Sequence, residues 1–142
     1  MPLTRPVFAT VAEYGARLDD VDFWAPYVWE VLARHRLPAA PLKAGFVGTF
    51  PTFLSGPYVV KLFGERFEGA LRYDTELSIH QLLAEHPEIP APALIAHARF
   101  FEDAPSTGWP WPYLVTTRLW GTAWRDVDLP PAKGADVARS LG

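Results

Sequence analysis

Cysteine is absent from this chain. That removes disulfides, thiol nucleophiles and Cys-ligated zinc together. Long apolar runs are absent too. None approaches the roughly 18 residues that a membrane span needs, and the start, Met1 to Gly15, has no apolar core of the kind a secretion signal carries. Both absences fit a cytoplasmic protein without a membrane partner. There is no basic run. Lys and Arg total 13 against 16 Asp and Glu, a formal charge of −3, whereas nucleic-acid binding needs a basic face to displace counterions. No internal repeat or low-complexity tract occurs. His35, His80, His86 and His97 lack any metal-ligand spacing. Asp126 and Asp128 suit caps or solvated charges better than a metal. Ser55 and Ser106 have no histidine–acid pair, which excludes a hydrolase triad.

What remains is a chain of 142 residues, 49% hydrophobic and 20% charged, which is the composition of one globular domain. Proline is in excess, 15 residues against about 7 at an average frequency. The elements are therefore expected to be short and sharply bounded. The six tryptophans, Trp24, Trp29, Trp109, Trp111, Trp120 and Trp124, are scattered, so packing roles come before a ligand platform.

Thr10 caps a short helix, Val11 to Leu18. Asp22 caps a second, Phe23 to His35, with Pro26 in its first turn. Leu42 to Phe53 and Tyr58 to Phe63 flank the turn Ser55-Gly56-Pro57 and predict a hairpin. Pro51 belongs at an edge or bulge. Phe67 to Glu85 predicts a long helix with an apolar stripe of Phe67, Leu71, Ile79, Leu82 and Leu83. Strands follow at Ala93 to Phe101 and Tyr113 to Arg118, and a helical pattern opens at Ala132. The order α-α-β-β-α-β-β-α gives an α+β fold, an antiparallel sheet with helices on one side. Residues 1–38 form a helical segment, 39–125 the sheet domain and 126–142 the start of a connection.

Three features bear on chemistry. Lys61 sits in a strand with apolar residues on both faces, so its ammonium is partly enclosed and needs an anion; otherwise its stem covers apolar surface and its head reaches water. Glu76 lies 15 residues on (76 − 61), mid-helix beside the apolar stripe. It is either the partner of Lys61 or a rim carboxylate. Glu65 and Glu68 are rival partners, although the helix dipole alone accounts for charge there. The third feature is Gly45-Phe46-Val47-Gly48-Thr49-Phe50-Pro51-Thr52. Its glycines let backbone approach a phosphate, and Thr49 and Thr52 add hydroxyl donors. Ordinary turn glycines are the alternative, because the stretch is neither G-x-G-x-x-G nor a Walker A loop.

Taken in order, the glycine hairpin, Val59-Val60-Lys61, the Glu76 helix, Ile89-Pro90-Ala91-Pro92 and Pro112-Tyr113-Leu114-Val115-Thr116-Thr117-Arg118-Leu119-Trp120-Gly121 resemble the kinase-like small-molecule phosphotransferases. The closest likeness is to the aminoglycoside phosphotransferase group, including hygromycin B kinases, over about Leu42 to Trp124. The resemblance implies the nucleotide-binding N-terminal lobe of an ATP-dependent enzyme that phosphorylates an alcohol group of a small molecule. Lys61 would hold the α- and β-phosphates, with Glu76 fixing Lys61, as in protein kinases. Gly45, Gly48 and Thr49 would line the phosphate loop. Thr116 to Leu119 would be the hinge, with the Thr117 carbonyl and the Leu119 amide on the adenine edge. The family's catalytic aspartate and its later magnesium-binding aspartate have no counterpart here. The chain by itself is therefore expected to be inactive, with Mg²⁺ held only alongside a second lobe. The alternative is a non-catalytic module that forms a homodimer or docks on a complementing chain.

Overall fold

A computed structural model describes residues 3–46, 48–102 and 108–119. Among them lie three helices and five strands: α1 (Val11–Arg17), α2 (Val21–Arg34), β1 (Leu42–Ala44), β2 (Thr52–Ser55), β3 (Tyr58–Leu62), α3 (Gly69–Ala84), β4 (Leu94–Arg99) and β5 (Pro112–Thr117). The strands form one antiparallel sheet in the order β1-β2-β3-β5-β4. The α+β expectation holds. The expected terminal helix, the 126–142 connection, Asp126, Asp128, Ser106, Trp120 and Trp124 lie outside the described residues. No described helix is long and apolar enough to cross a membrane.

Local chemistry sets the helix ends. Thr10 Oγ1 accepts the Glu13 amide at 3.1 Å and caps α1. Asp20, not Asp22, caps α2 by accepting the Phe23 amide at 3.1 Å. The earlier cap moves Pro26 into the second turn, where it is exposed. Arg17 pairs with the same cap at 2.6 Å and draws the Asp20 carboxyl below its usual range.

Two further expectations are corrected. The segment 42–53 is not one strand. The glycine stretch breaks it into β1 and β2, so the glycines form the loop of a first hairpin and Gly56-Pro57 the turn of a second. Gly56 takes the left-handed conformation that such a turn requires (φ 56°). Helices also cover both faces of the sheet. Side chains alternate along β3, so Val60 and Leu62 join α1 and α2 in a core with Trp24, Val28, Val31 and Leu32. Phe63 points the other way and joins Phe50, Leu114, Tyr73 and Leu77 under α3. The sheet is thus the middle layer of three, and β3 is its central strand.

Four of the five residues in the apolar stripe expected to bury α3 are exposed instead, and Leu83 is half-buried. Phe67, Leu71, Ile79 and Leu82 are 49%, 60%, 49% and 56% exposed. Tyr73 and Leu77 make the inward contact. The reason is helical phase: with Glu76 turned to the sheet, Leu71 and Leu82 fall on the opposite side. Leu82→Ser is therefore expected to change the unfolding free energy by less than about 0.5 kcal/mol. Phe63→Ala, at a fully buried position, is expected to cost about 3 kcal/mol or more. Urea denaturation of both variants checks this ordering, and the reverse ordering would mean that α3 packs by its other face.

Candidate functional site

Lys61 projects from the central strand onto the α3 side of the sheet, opposite Thr52 on β2 and Leu114 on β5. Its stem runs between two aromatic rings, with Nζ 5.8 Å from the Phe50 centroid and 5.1 Å from that of Phe63. The ammonium ends 2.6 Å from Oε1 of Glu76. Of the three candidate partners, Glu76 is the one in contact. Glu65 and Glu68 are exposed at the start of the helix. Lys61 and Glu76 retain 28% and 34% side-chain exposure. The pair is sheltered enough to be held and open enough to meet a ligand. At that exposure it contributes about 1 kcal/mol or less to folding.

The approach of α3 depends on a contact that the sequence pattern did not single out. A Cβ on Gly69 would lie 1.6 Å from the Gly64 carbonyl oxygen. Only glycine permits this crossing of the β3–α3 connection. Phe67 and Glu68 just before it adopt left-handed backbone (φ 60° and 59°), a conformation disfavoured for residues with a Cβ. The sharp turn delivers Glu76 to Lys61 two turns into the helix. Spacing in the sequence marked the two charges; it did not mark Gly64 and Gly69, because a steric requirement between backbones has no compositional signature.

The glycine loop lies beside the pair. Gly45 donates to the Thr52 carbonyl at 2.8 Å and closes the loop base. A Cβ there would press on that same carbonyl at 3.0 Å. Gly48 has open space around it, and Thr49 is exposed. The Thr52 hydroxyl turns inward to the Phe50 carbonyl at 3.0 Å, which withdraws it from the expected donor set. Thr117 ends β5, the strand paired with β3, three residues beyond Leu114 and so about 10 Å along the sheet from Lys61. Its amide and its hydroxyl both bond Ala93, at 2.9 Å each. Leu119 follows and is 62% exposed. Thr52, at the foot of the loop, thus sits opposite Lys61, and the end of β5 lies opposite Tyr58 at the other end of β3.

The other titratable groups lie elsewhere. His35 Nε2 meets the Tyr113 hydroxyl at 2.7 Å, and burial, with Arg34 and His97 nearby, lowers its pKa. His86 pairs with Glu88 at 3.2 Å. No group of three His, Asp or Glu side chains able to hold a metal ion occurs among the described residues. A cavity of about 480 Å³ between Arg5, Phe8, Arg66, Trp109 and Trp111 does not include Lys61. Its two indole N–H groups are spent on the Phe63 and Pro6 carbonyls.

Gly69→Ala is expected to push α3 off the sheet and separate Lys61 from Glu76. The variant should be destabilised, although an ordinary helix Gly→Ala replacement gains roughly 1 kcal/mol. Thermal unfolding checks this, and a stabilised variant would contradict the close crossing. Set against known protein families, the chain matches no family model.

Proposed function

We propose that this chain is the ATP-binding lobe of a kinase-like phosphotransferase that acts on an alcohol group of a small molecule. The observation that carries the reading is the partly exposed Lys61–Glu76 contact of 2.6 Å, with the glycine loop ending next to its β2 neighbour Thr52 and the end of β5 three residues beyond its β5 neighbour Leu114. A partly sheltered ammonium fixed by a carboxylate is a point charge aimed at an anion. The loop supplies backbone close to that anion without side-chain obstruction. The strand end supplies an edge for a base.

In this reading Lys61 binds the α- and β-phosphates and Glu76 holds the lysine in place. Gly45, Gly48 and Thr49 let the loop close over the phosphates, while the Thr117 carbonyl and the Leu119 amide take the adenine edge. Phosphoryl transfer depends on positioning and on metal charge. Magnesium ligands and the group that accepts the alcohol proton would come from a second lobe, so this lobe binds without turning over. The expected affinity of the lobe alone is about millimolar. An NMR titration with ATP should shift the amides of residues 45–49, Lys61 and 117–119. Lys61→Ala should abolish those shifts while leaving the protein folded. The absence of shifts in the wild type at about 10 mM ATP, or unchanged shifts in the variant, would overturn the assignment.

A specific feature also favours the second reading, a non-catalytic interaction module. The outward face of α3 presents Leu71, Ile79 and Leu82 to solvent, and grouped apolar exposure favours association. Under that reading light scattering should show a dimer that Leu71→Glu dissolves. A monomer at high protein concentration would count against it.

A further inference from the structure

Helix α1 has no part in the site as described so far, yet it touches the glycine loop. Tyr14 is 4% exposed, and its hydroxyl donates to the Thr49 carbonyl at 2.6 Å across 35 residues of sequence. The ring is fixed on three sides. Phe8 packs edge-on at 5.6 Å, Phe67 lies at 6.2 Å, and Gly64 leaves the room that the ring occupies, since a Cβ there would sit 3.3 Å from it. Burial raises the phenol pKa far above its ordinary value of 10.0, so the hydroxyl remains a donor at any neutral pH.

Holding that carbonyl has a consequence for the next amide. In a planar trans peptide the C=O and the following N–H point in opposite directions, and the described residues contain no cis bond. With the Thr49 carbonyl turned to α1, the Phe50 N–H is turned away from it. Helix α1 packs on one face of the sheet; the Phe50 ring and Lys61 belong to the other. No acceptor takes the Phe50 N–H among the described residues.

We propose that Tyr14 is a positioning residue that sets the Thr49–Phe50 peptide so that its N–H serves, with Lys61, as a donor to the phosphates of the bound nucleotide. The inference rests on the nucleotide-binding reading and adds to it a role for α1.

The test compares the wild type with Tyr14→Phe, which removes one oxygen and keeps the ring. Inorganic triphosphate and adenosine serve as separate probes. In the wild type, triphosphate should move the Phe50 amide proton downfield. In the variant, ¹⁵N order parameters of Gly48, Thr49 and Phe50 should fall. Triphosphate binding should weaken about tenfold, the effect of one hydrogen bond to a charged group, with adenosine binding unchanged. A wild-type Phe50 amide that ignores bound triphosphate would overturn the proposal, whether or not the variant folds. So would a variant that binds triphosphate as tightly as the wild type; that result would leave the nucleotide reading intact. If the wild type binds neither probe, the nucleotide reading and this proposal fall together.

Discussion

The structure turns on one ion pair held between two layers. Lys61 belongs to the central strand and Glu76 to a helix that touches the sheet through few side chains. Their 2.6 Å contact goes with a phase of α3 in which Glu76, Tyr73 and Leu77 face the sheet and Leu71 and Leu82 turn to solvent. The cost is an exposed apolar face that a helix serving packing alone would have buried. A surface pair of this exposure returns little stability.

The larger of the two cores lies on the opposite face. Trp24, Val28, Val31 and Leu32 of α2 close over Val60, Leu62, Tyr113 and Val115, so the helices at the start of the chain share one core with the sheet. This frees the α3 face to remain partly open around Lys61. Two backbone devices connect the layers. Gly69 crossing Gly64 brings α3 down to the sheet, and Tyr14 reaches from α1 to the glycine loop. Both converge on the stretch between β3 and α3, where Phe67 and Glu68 carry left-handed backbone.

Much of this was legible in the sequence, and the remainder was hidden for physical reasons. Alternation along β3 placed Lys61 and Phe63 on one face and Val60 and Leu62 on the other. Its position beside the stripe made Glu76 one of three candidate partners, and the contact of the two side chains selects it. The length of α3 followed from its lack of proline. Its orientation did not, because an apolar stripe normally marks the buried side and here Tyr73, Leu77 and Glu76 face the sheet instead. The split of the segment 42–53 was missed because β1 and β2 are only three and four residues long, too short for periodicity to register. Helices were expected on one side of the sheet because chain order alone carries no information about which face each covers. Nothing local to Tyr14 revealed a partner 35 positions away.

The most direct measurement of the central claim is amine footprinting. The chain has three lysines, Lys43, Lys61 and Lys133, and of these Lys61 is the one paired with Glu76. Acetylation followed by mass spectrometry, with and without saturating ATP, reports each ammonium separately. The account predicts that ATP slows modification of Lys61 several-fold and leaves exposed Lys43 unaffected. Equal modification of Lys61 in the presence and absence of ATP would contradict it.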